Sequence, residues 1–131
     1  LPALQMSRVH LVQIFQNLVG NAMKFIPADR RPEIKVTCKT DAREVIFAVR
    51  DNGFGIEEKH REKIFNLFFR LNKEEVEGTG IGLSICKSIT EKYGGRIWFQ
   101  SVVGQGTTFF FSFPASLIAE AKTVEGLRKT A

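Results

Sequence analysis

Four polar side chains recur along one predicted helix at intervals of four, four and three residues: Gln13, Asn17, Asn21 and Lys24. At roughly 100° per residue, these intervals place the four side chains within an arc of about 80°. Carboxamide oxygens can ligate a hard cation such as Mg²⁺, and an ammonium group one turn further along can neutralise phosphate charge. The stripe therefore suits a metal-bound polyphosphate. The alternative is a polar face exposed to solvent, as on most amphipathic helices.

The residues around this stripe favour the first interpretation. They are apolar on nearly every side, and an exposed helix face would normally carry Glu and Lys rather than carboxamides. The pattern predicts a largely buried helix, with these apolar positions: Leu11, Ile14, Phe15, Leu18, Val19 and Phe25.

A second candidate site is Asp51-Asn-Gly53-Phe-Gly55, directly after a predicted strand. A carboxylate at a strand end can accept a hydrogen bond from an exocyclic amine, and glycines let the backbone approach a flat ring without a Cβ in the way. Adenine would satisfy this carboxylate, whereas guanine presents a carbonyl there, at a cost of about 1–3 kcal/mol. By itself the motif is also typical of an ordinary turn.

A third candidate site is the glycine-rich run Gly78-Thr79-Gly80-Ile81-Gly82-Leu83, which opens a predicted helix. Glycines before a helix expose several backbone N–H groups toward one point, where the helix dipole adds positive potential. Phosphate is the anion this arrangement would bind. The run is not a Walker A loop, because no Gly-Lys-Ser/Thr ends it, and it does not follow a strand as a dinucleotide fingerprint does.

The elements that must position these groups follow from periodicity and from turn residues. The order of helix, hairpin, helix, helix, hairpin is not that of a doubly wound parallel sheet, and it predicts an α+β two-layer sandwich with a mixed β-sheet covered on one face by helices. The predicted helices cover 7–25, 57–69 and 81–93, and the predicted strands cover 34–40, 44–50, 96–103 and 107–113. A polar loop is predicted over 70–80, and an appended helix or tail over 115–131.

Length and composition narrow the class of protein. With 131 residues the chain forms one domain, and no apolar run approaches the roughly 20 residues of a membrane helix. No signal peptide opens it, so we expect a cytoplasmic location. The net charge of +5 permits an anionic ligand, although no Lys/Arg run marks a nucleic-acid stripe. Cys38 and Cys86 lack zinc-ligand spacing and are predicted to be reduced core thiols. Because the chain begins Leu-Pro and its first methionine is Met6, we expect a fragment of a longer protein, soluble or membrane-anchored.

The ordered set of motifs resembles the ATP-binding catalytic domain of sensor histidine kinases, in the superfamily that includes gyrase, the Hsp90 chaperone and the mismatch-repair protein MutL. The resemblance covers residues 4–114 and implies a Bergerat-type ATP-binding fold, with 115–131 outside the domain. The segment GTGIGLSICKSITEKYGGRIW is similar to phytochrome-type and hybrid sensor kinases. In the family's terms the asparagine box is Gln13–Phe25, the first glycine box Asp51–Gly55, the phenylalanine box Ile64–Arg70, the second glycine box Gly78–Gly82, and the closing segment Gly104–Phe109.

The resemblance also implies ATP and Mg²⁺ as ligands and a role for each matching residue. Asn21 would be the principal Mg²⁺ ligand, with Asn17 beside it and Lys24 on the phosphates, and these three form the catalytic set. Asp51 would bind the adenine amine. The remaining nucleotide contacts would be Phe25, Gly53, Gly55, Ile56, Arg70, Gly78, Thr79, Gly80, Ile81, Gly82, Leu83 and Thr108, with 71–80 as the ATP lid. Ser7 replaces an acidic residue that many relatives carry. Phe65, Phe68 and Phe69 are predicted to be core or domain-docking residues.

The superfamily's hydrolases carry a glutamate where this chain has Asn17, and a carboxamide is no general base, so we expect a poor ATPase. The resemblance implies phosphoryl transfer to a histidine instead. His10 and His60 lack the acidic residue that follows the family's acceptor, so the acceptor belongs to a separate dimerisation domain, which in turn serves a response regulator. We expect a monomeric fragment that binds no nucleic acid. A hydrolysing ATPase and a non-catalytic nucleotide- or nucleic-acid-binding module are the alternatives.

Overall fold

Two helices and a four-stranded sheet make up the described part of the chain, residues 5–66 and 82–117 of a computed structural model. Short 3-10 turns lie at Glu58–His60 and Ala115–Leu117. The main elements are α1 (Arg8–Lys24), β1 (Ile34–Thr40), β2 (Glu44–Asp51), α2 (Gly82–Lys92), β3 (Arg96–Val102) and β4 (Gly106–Pro114). Within these residues the predicted first and third helices and both strand pairs are confirmed.

The sheet has the order β1-β2-β4-β3, and each neighbouring pair is antiparallel. The α+β class with helices against a sheet is confirmed, but no parallel pairing exists among the described strands, where a mixed sheet was expected. The reason lies in the topology. β2 and β3 run in the same direction, yet β4 lies between them and pairs with both, so the chain returns to the sheet as a hairpin.

The core lies between the sheet and the two helices. Along β2 the residues Val45, Phe47 and Val49 are buried and alternate with more exposed neighbours, as the period of two requires. Phe47 stacks on Phe111 with ring centroids 5.0 Å apart, and Phe15 of α1 meets both rings edge to face. These aromatic contacts fix α1 over the sheet.

α1 is less buried than the sequence indicated. Its buried residues are Ile14, Leu18 and Ala22, whereas Val9, Val12 and Met23 are 70%, 44% and 59% exposed. The six apolar positions on which the prediction of a buried helix rested are all buried or half-buried, but burial does not extend to every side of the helix. Apolar residues occur on all sides of α1, but only one face reaches the sheet, and burial follows what packs against a face rather than the composition of the helix.

The predicted helix over 57–69 is also wrong as far as residue 66, where the described stretch ends. One 3-10 turn and further turns replace it. Arg61 binds Glu58 and donates to the carbonyl of Phe99, which ties this stretch to β3. Ile64 and Phe65 turn into the core, and the prediction that Phe65 is a core residue is confirmed. Phe68 and Phe69 lie outside the described residues.

Candidate functional site

Asp51 ends β2 and is held by two backbone hydrogen bonds. Its Oδ1 accepts the N–H of Gly53 at 2.9 Å and that of Thr107 at 3.1 Å. Oδ2 accepts no hydrogen bond from any residue that the structure describes. One carboxylate oxygen is therefore fixed by the protein, and the other is available to accept a hydrogen bond from a ligand.

The electrostatics of Asp51 follow from this position. Burial raises the pKa of its carboxyl above 3.8, and the hydrogen bonds from Gly53 and Thr107 oppose that shift. Burial is the larger effect. Asp51 is thus an anion that the fold partly desolvates, which strengthens any hydrogen bond that its ionised form accepts.

The glycine turn after Asp51 packs against the end of α1. A Cβ on Gly53 would lie 2.1 Å from the carbonyl oxygen of Phe25, and the same oxygen accepts the N–H of Phe54 at 3.0 Å. Only glycine allows this approach. The contact places the turn that carries Asp51 directly beside the C-terminal end of the polar stripe, so both groups belong to one region of the molecule.

Two residues outside the predicted site, Arg30 and Asn52, position this turn. Arg30 donates to the carbonyls of Asn52 and Gly53 at 2.6 and 3.2 Å. The Asn52 side chain accepts the N–H of Glu33 and donates to the carbonyl of Arg31. These hydrogen bonds join two loops, and loop residues show no periodic pattern from which such contacts could be predicted. The adjacency of Asn52 to Asp51 was the one signal in the sequence.

A hydroxyl network supports the next part of the motif. Gly55 has φ +79°, and a Cβ there would lie 2.5 Å from the carbonyl oxygen of Val102. The N–H of Ile56 donates to Ser101 Oγ at 2.7 Å, and that hydroxyl lies 2.8 Å from the hydroxyl of Thr107. Ile56 is buried in the core cluster. The network connects the first glycine box to the start of β4.

Thr107, rather than the expected Thr108, lies next to Asp51. The register pairs Thr108 with Arg50 and Gln100, whose side chains point away from the helices, and successive residues of a strand face opposite sides. The expected role of Thr108 at the adenine end is therefore wrong, and Thr107 has the position for it.

The polar stripe on α1 lies against the start of α2. Asn17 Nδ2 donates to the carbonyl of Gln13 at 3.0 Å, and its Oδ1 lies 3.0 Å from where a Cβ of Gly82 would be. Asn17 and Asn21 are half-buried, whereas Lys24 is exposed and forms no ion pair within the described residues. The two carboxamides and the ammonium thus line one side of α1, as the spacing predicted.

The remaining sequence-predicted contacts divide into two groups. Gly82 is the first residue of α2, Leu83 packs against the core, and Phe25 follows the end of α1 with its N–H bonded to the carbonyl of Asn21. Arg70 and most of the second glycine box lie outside the described residues, as does the expected lid over 71–80. The box members there are Gly78, Thr79, Gly80 and Ile81.

Both cysteines are free thiols. Burial raises the pKa of the Cys86 thiol to about 12, and its Sγ points at the carbonyl of Ile14, 3.8 Å away. Cys86 is therefore an unreactive core thiol below the stripe. Cys38 is half-buried on β1.

Among residues 5–66 and 82–117, no cluster of three His, Cys, Asp or Glu side chains could hold a metal ion. The candidate ligands are instead the Asn17 and Asn21 carboxamides. Mg²⁺ needs only a few protein oxygens, because it retains several waters and takes phosphate oxygens from a nucleotide. The donor set fits a cation that arrives with its polyphosphate. In the same residues no helix is long and apolar enough to span a membrane.

Comparison with known proteins supports the resemblance seen in the motifs. Residues 6–117 match the family described as histidine kinase-, DNA gyrase B-, and HSP90-like ATPase. The phytochrome-like protein Cph1 of Synechocystis is 44% identical over 115 residues, which are 87% of this chain and 15% of that protein. The sensor protein kinase WalK of Staphylococcus aureus is 39% identical over 113 residues, which are 84% of this chain and 27% of that protein.

A solved structure shares the fold. The crystal structure of full-length ShkA in complex with AMPPNP superposes with a TM-score of 0.75 at 31% identity, over 87% of this chain and 23% of that one. The chain therefore spans about a quarter or less of the length of these three proteins. The resemblance predicted from the sequence motifs is confirmed.

Proposed function

Because this chain belongs to the family of histidine kinase-, DNA gyrase B- and HSP90-like ATPases, we propose that it is the ATP-binding catalytic domain of a sensor histidine kinase. One observation carries the proposal: Asp51 Oδ1 is fixed by two backbone N–H groups, and Oδ2 is left to accept a hydrogen bond. The exocyclic amine of adenine donates such a bond, whereas the carbonyl of guanine cannot.

In this proposal ATP lies along α1, with adenine at Asp51 and the phosphates beside the stripe. Thr107 and the Gly53 turn fix the adenine end. Asn21, with Asn17 beside it, would hold Mg²⁺, whose charge would neutralise the phosphates. Lys24 adds a cation at the same end. Arg70 and the glycines at 78, 80 and 82 would complete the phosphate contacts.

The reaction we propose is transfer of the γ-phosphoryl group to a histidine of another domain. Asn17 cannot accept a proton, so the stripe offers no general base for activating water. Catalysis would then consist of positioning and charge neutralisation around an incoming imidazole. Within the chain, the Nδ1 of His10 already lies 2.6 Å from the Tyr93 hydroxyl, and neither His10 nor His60 is followed by an acidic residue.

The partners follow from this reaction. We propose that the parent protein supplies a dimerisation domain with the acceptor histidine, and that a response regulator receives the phosphoryl group from it. The catalytic domain would comprise residues 1–114, with 115–131 as a tail. It would act in the cytoplasm as a monomeric unit and would bind no nucleic acid.

The test is phosphorylation in trans. The chain is mixed with Mg²⁺, labelled ATP and a separately expressed histidine-bearing acceptor domain of a related sensor kinase, and the label on the acceptor is measured. We expect acid-labile label with ATP and none with GTP. Asp51→Asn should abolish it, whereas Asp41→Asn should not, because Asp41 forms similar backbone bonds in the remote β1–β2 turn.

Two results would contradict the proposal. Equal use of GTP would remove the role of Asp51. Steady phosphate release without an acceptor, lost in Asn17→Ala, would assign the chain to the hydrolysing branch of the superfamily instead.

A further inference from the structure

The sheet has a second face, which points away from α1 and α2 and which we call the outer face. The pairing register places Ala48, Phe110 and Trp98 side by side across its middle. Phe110 and Trp98 are partly exposed there, in contrast to the buried Phe47 and Phe111 on the helix side. An apolar row thus crosses a face that no described helix covers.

Cations surround this row. The outer-face positions of the four strands carry Lys35, Lys39, Arg50 and Arg96, against one carboxylate, Glu44. Only Arg96 reaches that carboxylate, at 3.4 Å. The other three cations are exposed and form no ion pair with any described residue. The outer face is therefore a positive surface without compensating charge.

Protection of the sheet edge explains only part of this charge. Lys35 and Lys39 lie on the edge strand β1, where lysines discourage pairing with other chains. Arg50 is different because it lies on the inner strand β2 and directly opposite Lys35 in the register. Like charges placed opposite each other destabilise a sheet. A bound anion would relieve that repulsion.

The aromatic row indicates which kind of anion fits. The ring of Trp98 stacks on Phe110 at 5.3 Å and 10°, and the Arg96 guanidinium lies 4.0 Å from its centroid. Phe110 and Arg96 thus cover part of the indole, which leaves less of the ring for a stacked base of the kind that single-stranded nucleic acids require. On the far side of Phe110 the register partner is the small Ala48. That leaves room for an apolar side chain between positive groups.

We propose that the outer face binds an acidic polypeptide segment, in which a large apolar side chain over Ala48 is flanked by Asp or Glu residues that pair with Arg50, Lys35 and Lys39. The partner belongs to another protein or domain. Residues 118–131 of this chain carry three Lys or Arg and two Glu, so their charge does not complement this surface. The proposal does not depend on the nucleotide site.

Trp98 provides the test because it is the one tryptophan of the chain. A synthetic peptide of Asp and Glu residues around a central Leu-Phe pair is titrated while Trp98 emission is recorded. We expect a saturable change that weakens with salt. Arg50→Glu should reduce the affinity by about tenfold or more, and Ala48→Leu should reduce it by filling the space beside Phe110 without altering the charge.

The control is Lys87→Glu, the same charge reversal on an exposed lysine of α2. Far-UV circular dichroism, recorded for each variant, reports that the domain is folded. Equal weakening by Lys87→Glu and Arg50→Glu would overturn the proposal, as would no response to the peptide. Tighter binding of oligothymidine than of the peptide would also overturn it, in favour of a nucleic-acid surface.

Discussion

The two ends of the proposed nucleotide site are constructed differently. At the adenine end the backbone forms the site: Asp51 is fixed by two N–H groups, and Gly53 lies against the carbonyl of Phe25. At the phosphate end, within the described residues, side chains of one helix face form it, and Lys24 is exposed. A site built from backbone has a fixed shape, so base selection should be intolerant of change, whereas phosphate affinity should decline gradually as side chains are removed.

The largest difference should come from glycine-to-alanine substitutions at the two ends. In Gly53→Ala the new Cβ would meet the Phe25 carbonyl oxygen at 2.1 Å, so the turn must move. We expect a loss of about 1–3 kcal/mol in the free energy of unfolding, together with weaker ATP binding. Urea denaturation measures the first and calorimetry the second.

Gly20→Ala on α1 is the matched control. A Cβ at Gly20 meets nothing within 4 Å, and alanine is the better helix former by about 0.8–1.0 kcal/mol. We expect a more stable protein with unchanged ATP affinity. If the two variants had the same stability, the close packing of the adenine end would be refuted.

The next effect in size is that of Asp51→Asn on base selection. The Asn oxygen can still accept the two backbone N–H groups, but its amide N–H₂ then faces the adenine amine, donor against donor. Loss of a charged hydrogen bond of about 1.5–3 kcal/mol weakens ATP binding by roughly 10- to 150-fold. Calorimetry with ATP and GTP checks this, and an unchanged ATP/GTP ratio would contradict it.

The pKa values of Asp51 and Asp41 should be shifted in opposite directions. Burial raises the pKa of Asp51, whereas backbone hydrogen bonds from Glu44 and Arg43 lower that of the exposed Asp41. Carboxyl carbon NMR should show Asp51 titrating above 3.8 and Asp41 below it. As the pH falls through the folded pKa of Asp51, protonation relieves its burial and stabilises the fold, but ATP loses its acceptor. A lower pKa for Asp51 than for Asp41 would contradict the conclusion that burial dominates the environment of Asp51.

The regular elements were predictable from sequence because their signals are local and periodic. α1 shows a 3.6-residue pattern, and β1 and β2 are β-rich runs on either side of an Asp-containing turn. The Asp51 motif was predictable for the same reason, since a carboxylate and two glycines follow a strand directly.

The sequence-based predictions failed where contacts between residues far apart in the sequence determine the structure. Thr107 and Thr108 are identical in type and adjacent, and which of them faces Asp51 depends on strand register, which composition does not reveal. The exposure of Val9 and Met23 on α1 was likewise not predictable, because an apolar pattern does not say which faces of a helix are covered. Arg30 bonds to a turn more than twenty residues away, without any motif.

The smallest effect should come from Lys24→Ala at the phosphate end. Lys24 is exposed and has no ion-pair partner among residues 5–66 and 82–117, so water screens its attraction for phosphate, and exposed pairs contribute about 0.2–1 kcal/mol. We expect ATP affinity to fall by less than tenfold and adenosine affinity not to change. Lys63→Ala, which removes an exposed charge elsewhere, is the control. If Lys24→Ala lowered the affinity for adenosine as much as that for ATP, Lys24 would lie at the adenine end. The distinction between the adenine end and the phosphate end of the site would then be lost.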